Sequence, residues 1–323
     1  MTNFSFREEF SNTPLGDGGK ILVTGSNGQL GMELQQLAPA YPSFQFIFTN
    51  RTEFSLDDFD SINNFIALHQ PQYLINCAAY TAVDKAETEK ELAFKINTEA
   101  PGIIAAACKA NNVQLIHIST DYVFNGMGNT PYKEDNATDP VNLYGESKLE
   151  GEKKVMQLNP GSIIIRTSWV YSEFGKNFVK TMLRLMADKD EISVVSDQSG
   201  TPTYAADLAD AIVQLILTLE NPTHLPIETG TPPDSYRDST HPGIYHFSNE
   251  GHITWYDFAM AIKELTGSSC IVNPIPTSQF PTAAKRPFYS VLDKTKIQQT
   301  FGVQVKDWKK SLTICMERLK KNN

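Results

Sequence analysis

A glycine-rich segment, TGSNGQLG at 24–31, constrains the fold more than any other feature of this sequence. It follows the apolar run KILVT (20–24) and opens a stretch of helical composition at 28–38. Glycine permits a tight turn and a close approach of backbone to ligand, and a helix N-terminus offers free N–H groups to phosphate. The loop therefore predicts a pyrophosphate site at the start of a β-α-β unit, with a ligand-free glycine turn as the alternative.

Apolar runs and helical stretches alternate through the first half of the chain. The predicted strands are 20–24, 45–49, 71–79, 113–120 and 162–169, and the predicted helices are 28–38, 58–69, 86–110 and 146–157. The strands lack strict polar–apolar alternation, which is typical of parallel strands covered on both faces. We therefore predict an α/β fold with a doubly wound parallel sheet.

Beyond residue 169 the pattern weakens, and we predict a second, smaller α/β domain that binds substrate. The predicted division is a mobile tail at 1–19, a dinucleotide-binding domain at 20–168 to which elements near 204–220 and 243–248 return, a long surface loop at 221–242, and a mainly substrate-binding part at 169–323.

Composition excludes several classes of protein. Lys and Arg total 28 against 37 Asp and Glu, a formal charge of −9, which argues against a general nucleic-acid binder. We find no apolar run long enough to span a membrane and no signal peptide at the N-terminus. The four cysteines are far apart and without clustered histidines, so we predict no metal site and a reducing, cytoplasmic location.

A tyrosine–lysine pair supplies the second chemical signal. Tyr144 and Lys148 stand four residues apart, and on a helix they would share a face. We expect the Lys148 ammonium to lower the pKa of Tyr144 towards a useful range for proton transfer. Thr120 and Asp121 end a predicted strand, where ligands of such sheets bind, so we expect both to contact substrate, although their residue types also favour a turn.

The residues after the second strand usually select the cofactor. An Asp at position 50 would favour NADH, but the chain has Asn50, and Arg51 could meet a 2′-phosphate or simply be solvated. We predict NADPH or NADH as cofactor, with a slight preference for NADPH.

Seven motifs together resemble the dTDP-4-dehydrorhamnose reductase family of the extended short-chain dehydrogenase/reductase superfamily. They are GSNGQLG (25–31), NCAAYTAVDKAE (76–87), STDYVFNG (119–126), YGESKLEGE (144–152), RTSWVY (166–171), DQSGTPT (197–203) and RPFYSVLD (286–293). The resemblance covers about residues 20–310.

That resemblance implies reduction of the C4 ketone of dTDP-4-dehydro-β-L-rhamnose by NAD(P)H. It implies that Tyr144 donates the proton and that Lys148 binds the nicotinamide ribose. Thr120 takes the place of the Ser or Thr that contacts the sugar in this family. For the cofactor it implies contacts from Gly25, Gly28, Gln29, Leu30, Gly31, Asn50, Arg51, Asp57, Asp58, Ala78, Ala79, Tyr80 and Asn97. For the substrate it implies contacts from Thr120, Asp121, Trp169 and Arg286.

Some of these positions have a plain structural alternative. Asp57 could be a helix N-cap, and Asn97 could lie on a helix surface. Some relatives use a glutamate at the position of Glu33 in metal-linked dimers, but the sequence offers no complete ligand set, and we predict a surface residue on the first helix. A homodimer is common in such enzymes, and the sequence leaves the oligomeric state of this chain open.

Two other functions remain open at this stage. Another nucleotide-sugar enzyme of the same fold, such as an epimerase or a dehydratase, would share the glycine loop and the Tyr144–Lys148 pair. A dehydratase is disfavoured because Thr120 is followed by Asp-Tyr rather than by an Asp-Glu pair. A non-catalytic regulator similar to the β subunit of methionine adenosyltransferase would not need Thr120, Tyr144 and Lys148 together.

Overall fold

The computed structural model describes residues 19–221 and 241–322. The predicted tail, apart from Gly19, and most of the predicted loop at 221–242 lie outside the described residues. Within the described ranges the strands are β1 Lys20–Thr24, β2 Gln45–Thr49, β3 Tyr73–Asn76, β4 Gln114–Thr120, β5 Ile163–Thr167, β6 Val170–Tyr171, β7 Glu191–Val195, β8 Ser199–Gly200, β9 Thr203–Tyr204, β10 Gly243–His246, β11 Ile253–Thr254 and β12 Ile271–Ile275.

Six strands form one parallel sheet in the order β10-β5-β4-β3-β1-β2. Its central strands are buried on both faces, as the unbroken apolar runs of the sequence predicted. The order reverses beside β1, which creates a crevice at the carboxyl ends of the strands. The predicted parallel α/β fold is confirmed.

Helices cover the sheet on both sides. Their bounds are α1 Gln29–Leu37, α2 Phe59–His69, α3 Val83–Ala86, α4 Lys90–Phe94, α5 Ala100–Ala110, α6 Leu143–Leu158, α7 Phe178–Asp188, α8 Ala205–Glu220, α9 Trp255–Thr266, α10 Thr295–Phe301 and α11 Trp308–Asn322. One apolar core lies between the sheet and α1, α8 and α10, and another lies between the sheet and α2, α5 and α6. None of the helices in the described ranges is long and apolar enough to cross a membrane.

The helix predicted at 86–110 starts too early, because α3 ends at Ala86 and the continuous helical stretch runs from Lys90 to Ala110. A π-helical turn at Lys95–Glu99 separates α4 from α5. Pro101 lacks the N–H that would bond the Asn97 carbonyl four residues earlier, which favours a local widening of the helix. Gly151 of α6 packs against this carbonyl so closely that an added Cβ would lie 2.0 Å from the oxygen.

A third apolar core lies away from the main sheet. It joins α7, α9 and α11 with the paired strands β7 and β12. Strand β10, which comes late in the chain, nevertheless pairs with β5 in the main sheet. The division of the chain into two domains stays a prediction.

Candidate active site

A cleft of about 810 Å³ lies at the carboxyl ends of the sheet strands. Its lining includes residues at the ends of β1 to β4, which are Gly25, Asn50, Ala78 and Ser119. Two residues of α6, Tyr144 and Lys148, line it as well. The parallel topology brings together residues that are up to 123 positions apart in sequence, counted from Gly25 to Lys148. Such a crevice is where ligands bind in doubly wound sheets.

The glycine loop forms one wall of the cleft. Gly25 has φ 67°, and an added Cβ would lie 2.8 Å from the backbone nitrogen of Ala78. A Cβ on Gly31 would lie 2.5 Å from the Gly25 carbonyl oxygen, so neither position accepts a side chain without a shift. In the described part of the chain no side chain caps the N-terminus of α1, which leaves its N–H groups free for an anion. The loop therefore fits a dinucleotide pyrophosphate.

Gln29 and Leu30 line the same wall. The Gln29 side chain, however, reaches across the cleft, where its amide donates to the Val170 carbonyl (3.3 Å) and accepts from the Asn177 side chain (2.8 Å). The first residue of α1 is thus bonded to the N-cap of α7. Sequence reasoning placed Gln29 at the cofactor but missed this contact.

The residues after β2 form a self-contained turn at the far end of the cleft. The Asn50 side chain accepts from the Thr52 backbone N–H (2.8 Å), and Arg51 pairs with Asp57 (3.0 Å) while its side chain stays 77% exposed. The proposed N-cap at Asp57 is wrong, because Asp58 caps α2 by accepting from the Ser61 backbone N–H. Asn50 and Arg51 line the cleft; Asp57 and Asp58 are not among the residues that do.

The segment after β3 borders the cleft through Ala78, Ala79 and Tyr80. Asn97 holds this segment in place, because its side chain accepts from the Tyr80 N–H (2.9 Å) and donates to the Tyr80 carbonyl (3.0 Å). It also donates to the Ser147 hydroxyl of α6 (3.0 Å). The alternative of a surface Asn97 is therefore wrong, since the residue is fully buried.

Tyr144 and Lys148 lie on the buried face of α6, as their spacing predicted. Burial raises the pKa of Tyr144 to about 12, and a hydrogen bond with Thr120 opposes this rise. Burial also lowers the pKa of Lys148 to about 8. The expected lowering of the Tyr144 pKa is wrong, because burial outweighs the opposing hydrogen bond. The Lys148 ammonium donates to the Ile118 carbonyl (2.8 Å).

Thr120 and Asp121 are buried beside Tyr144 at the end of β4. The Thr120 hydroxyl donates to the Asp121 carboxylate (3.1 Å) and accepts from the Tyr122 backbone N–H (3.2 Å). Thr120 therefore also caps the short 3₁₀ turn Asp121–Val123. Its part in a turn is compatible with the predicted contact to substrate. Burial raises the pKa of Asp121 to about 7.

Trp169 joins the main sheet to the third core in a strained conformation. Its φ is 48°, which is unusual for a bulky residue. Its ring stacks on Trp255 with centroids 3.5 Å apart, and a Cβ on Gly200 would lie 2.7 Å from the same ring. Sequence reasoning found Trp169 but missed Trp255, for which no motif or spacing gave a signal.

Arg286 is the other predicted substrate contact. Its guanidinium forms a two-point ion pair with Asp84 of α3, at 3.0 and 2.7 Å. Asp84 belongs to the VDKAE motif but received no role from the sequence. Arg286 lies close enough to Tyr122 to lower its pKa electrostatically, and the Tyr122 ring meets the Tyr144 ring edge-on at 5.5 Å. Arg286 thus lies near Tyr144, but Arg286, Thr120, Asp121 and Trp169 are not among the residues that line the cleft.

The prediction of a surface Glu33 is wrong, because its side chain is 2% exposed. It accepts from the Ser172 hydroxyl (2.7 Å) and shares a hydrogen bond with Glu173, while Arg318 of α11 lies 3.6 Å away. Burial raises the pKa of Glu33 to about 8. A helix period places Glu33 on α1 but does not reveal that α11 covers that face.

Among the described residues no group of three or more Cys, His, Asp or Glu side chains is arranged to hold a metal ion. All four cysteines are free thiols.

A parallel α/β sheet with a pyrophosphate loop and a buried Thr-Tyr-Lys set defines a nicotinamide-dinucleotide-dependent oxidoreductase. The model of the RmlD substrate binding domain matches residues 19–321. The chain belongs to the dTDP-4-dehydrorhamnose reductase family, as its motifs had indicated.

Individual relatives agree. The dTDP-4-dehydrorhamnose reductase of Aggregatibacter actinomycetemcomitans is 39% identical over 299 residues, which are 91% of this chain and 97% of the relative. The crystal structure of a dTDP-4-dehydrorhamnose reductase from Clostridium acetobutylicum is 40% identical and has a TM-score of 0.83, covering 93% of this chain and 99% of that one. That of the Bacillus anthracis reductase in complex with NADP is 35% identical with a TM-score of 0.84 over the same shares.

Proposed function

We propose that this protein reduces the C4 ketone of dTDP-4-dehydro-β-L-rhamnose to give dTDP-L-rhamnose. The observation that carries the proposal is that Tyr144 and Lys148 line the cleft that the glycine loop borders, with Thr120 hydrogen-bonded to Tyr144, in a chain of this family. When bound, NADPH or NADH supplies the hydride that the C4 carbon accepts.

Tyr144 supplies the proton that the new C4 oxygen needs. Its raised pKa of about 12 keeps the phenol protonated at neutral pH, which is the form that a reduction requires. Thr120, which is hydrogen-bonded to Tyr144, orients the phenol and the substrate oxygen. Each turnover moves one hydride to carbon and one Tyr144 proton to oxygen, and solvent must then restore the proton.

Lys148 binds the nicotinamide ribose in this proposal. Its pKa of about 8 keeps most molecules charged at neutral pH, and the ammonium has two further hydrogens beyond the one donated to Ile118. The ribose hydroxyls can accept these hydrogens. Lys148 then connects the cofactor to the Ile118 carbonyl and fixes the ribose beside Tyr144.

The cofactor lies along the cleft from the glycine loop to α6. We assign its pyrophosphate to Gly25, Gly28, Gln29 and Leu30, with Gly31 allowing the close helix packing. Ala78, Ala79 and Tyr80 border it, held by Asn97. Asn50 and Arg51 bind the adenosine end of the cofactor in this proposal. Asp57 forms an ion pair with Arg51, and Asp58 caps the N-terminus of α2.

We assign the sugar to Thr120, Asp121 and Trp169, and the substrate diphosphate to Arg286. The enzyme is proposed to act in the cytoplasm as a homodimer. Four free thiols support a reducing compartment. Light scattering on the purified protein tests the dimer.

One assay tests the reaction. Purified protein is mixed with dTDP-4-dehydrorhamnose and NADPH, and loss of the reduced-cofactor absorbance is followed with product analysis. Stoichiometric oxidation with formation of dTDP-rhamnose supports the proposal. Folded protein that binds NADPH but oxidises none would support the regulatory-subunit alternative instead.

A further inference from the structure

The segment 284–290, here called the strap, runs past the Tyr144 end of the cleft. At its start, the Asp84 carboxylate accepts from the Ala284 backbone N–H (3.0 Å) and from both terminal nitrogens of Arg286. Asp84 therefore binds a backbone group and a side chain of the strap together. The side chains of Asp84 and Arg286 are 45% and 24% exposed, so the pair is partly screened by water.

The strap is also fastened to the helix that carries Tyr144. The Asn142 side chain donates to the Lys285 carbonyl (2.7 Å) and accepts from the Gly145 backbone N–H (2.8 Å) as the N-cap of α6. One amide thus joins the strap to the first turn of the helix. Asp84 therefore holds the strap at Ala284 and Arg286, and Asn142 holds it at Lys285 between them.

The far end of the strap is hydrogen-bonded to the segment after β4 and to β8. The Tyr289 N–H donates to the Gly126 carbonyl (3.0 Å), and the Ser290 N–H donates to the Ser199 carbonyl at β8 (2.8 Å). An added Cβ on Gly126 would lie 2.3 Å from the Pro287 side chain. With both ends bonded, the strap presents Arg286 from a fixed backbone.

The hydrogen bonds of Arg286 leave one edge of its guanidinium available. Nη1 donates to Asp84 and to the Ala284 carbonyl (3.0 Å), and Nη2 donates to Asp84. Within the described residues, Nε–H and the second Nη2 hydrogen have no partner. These two hydrogens lie on the same edge, and such a pair matches the spacing of two phosphate oxygens.

We propose that Asp84 is a positioning residue for substrate binding. It holds the Arg286 guanidinium by its end, so that the free Nε–Nη2 edge faces the diphosphate of the nucleotide-sugar. A long side chain that is already ordered loses less conformational entropy when it binds an anion. The identity of this anion rests on the proposed function, whereas the order that Asp84 imposes on Arg286 does not.

Asp84→Asn tests the proposal, because it removes the charge and one strong acceptor while keeping the shape. We expect KM for dTDP-4-dehydrorhamnose to rise by about tenfold, since charge-assisted bonds are lost, while kcat changes by less than about threefold. The KM for NADPH should stay unchanged. Glu91→Gln is the matched control, because Glu91 is exposed on the neighbouring α4 and loses the same charge.

A double-mutant cycle separates positioning from a direct role. In an Arg286→Ala background, Asp84→Asn should add no more than about a twofold rise in KM, because the residue it positions is gone. A full additional rise would overturn the proposal, as would an unchanged KM in the single variant. A fall in kcat at constant KM would also overturn it.

Titration calorimetry with dTDP distinguishes this proposal from the proposed function. If the wild type binds dTDP but does not turn over the sugar nucleotide, the proposed function fails, and the affinity ratio of wild type to Asp84→Asn still decides the role of Asp84. A ratio of about ten supports it and a ratio of one overturns it. Absence of dTDP binding by the folded wild type overturns both.

Discussion

At the residue scale, burial sets the protonation states of the two groups that we propose to be catalytic. Tyr144 is held protonated by a pKa of about 12, and Lys148 is held near its titration point by a pKa of about 8. Both shifts have desolvation as their largest cause, because the low-polarity surroundings disfavour phenolate and ammonium alike. The site is therefore set for donating a proton before any ligand arrives.

Tyr144→Phe should remove the proton donor and little else. The ring and its edge-on contact with Tyr122 are kept, so NADPH binding measured by fluorescence titration should be unchanged. We expect kcat to fall by about 10²–10⁴-fold, the usual range for loss of a general acid. Tyr245→Phe, in the core against Phe301, is the control and should keep its activity. Near-normal kcat in Tyr144→Phe would show that another group donates the proton.

Asn50→Asp tests cofactor choice at the other end of the cleft. The Asn50 side-chain oxygen accepts from Thr52, and a carboxylate can do the same, so the turn should persist. A new negative charge should repel a 2′-phosphate and accept from a 2′-hydroxyl. We expect the ratio of kcat/KM for NADH over NADPH to rise by about tenfold, measured with both cofactors at one ionic strength. An unchanged ratio would show that position 50 does not select the cofactor.

Single residues were easier to predict from sequence than their environments. The turn of the glycine loop and the shared buried face of Tyr144 and Lys148 follow the sequence prediction, because type and spacing are local patterns; the catalytic roles of these residues stay predictions. The direction of the Tyr144 pKa and the burial of Glu33 were predicted incorrectly. Both depend on which distant element covers the residue, and one sequence does not contain that information in local form.

At the scale of elements, α6 organises the site through one buried face. Tyr144, Lys148 and Glu152 follow at successive intervals of four residues. Glu152 forms a fully buried two-point ion pair with Arg166 of β5, with distances of 2.7 to 3.2 Å. Glu152 also favours the charged form of Lys148 and raises its pKa, against the effect of burial. The helix thus carries both the proposed catalytic pair, Tyr144 and Lys148, and the negative charge that favours the protonated lysine.

Glu152→Gln should shift the pH profile of the enzyme. Activity should decline above about pH 8 as Lys148 loses its proton, and removing the Glu152 charge should move this decline to lower pH. His117 of β4 is neutral in this pH range, because burial and the Lys148 charge hold its pKa well below the usual value. Unfolding should become easier by about 3–5 kcal/mol, because a buried pair is broken.

The pH dependence of kcat/KM and denaturant unfolding measure these two effects separately. Glu150→Gln, exposed on the same helix and paired with Lys153, is the control and should change neither. A decline at the wild-type pH in a folded Glu152→Gln enzyme would contradict the electrostatic role of Glu152.

Elements were predicted with uneven success, and the reason is physical. Strands β1 and β2 begin and end at the predicted residues, since a buried parallel strand shows as a bounded apolar run. The stretch 86–110 has a helical composition throughout, yet it contains a π-helical turn at Lys95–Glu99. Amino-acid composition does not distinguish a π turn from an α-helix, and Pro101 is the one residue of this stretch that indicates an irregularity.

At the scale of the whole molecule, a buried acidic pair joins the first helix to the last. Glu33 of α1 and Glu173 share a hydrogen bond, and Arg318 of α11 and Tyr204 bond Glu173 at 3.1 and 2.9 Å. The pKa of Glu33 is raised to about 8, while that of Glu173 is lowered. At neutral pH the folded protein therefore holds one proton on Glu33 that the unfolded chain releases.

This proton makes stability depend on pH. Between the unfolded pKa of about 4.5 and the folded pKa of about 8, the folded state binds more protons, so stability falls as pH rises. Glu173 stays ionised in this pH range, so it does not change how stability varies with pH. We expect the Tm of the wild type to drop between pH 5.5 and 8 by about 2–4 °C more than that of Glu33→Gln, measured by calorimetry. Glu264→Gln, exposed and paired with Lys309, is the control, and parallel curves for all three proteins would contradict the prediction.

The return of β10 to the sheet limits how this protein can be divided. Removing everything after α8 would strip β5 of its neighbour and leave a bare edge of unpaired backbone groups, which promotes aggregation. The main sheet with its helices therefore cannot be cut out as a contiguous gene fragment and fused elsewhere. Exchange of the predicted substrate-binding part between relatives, whether in evolution or in the laboratory, needs several splice points, because α8, β10 and α10 must all stay with the main sheet.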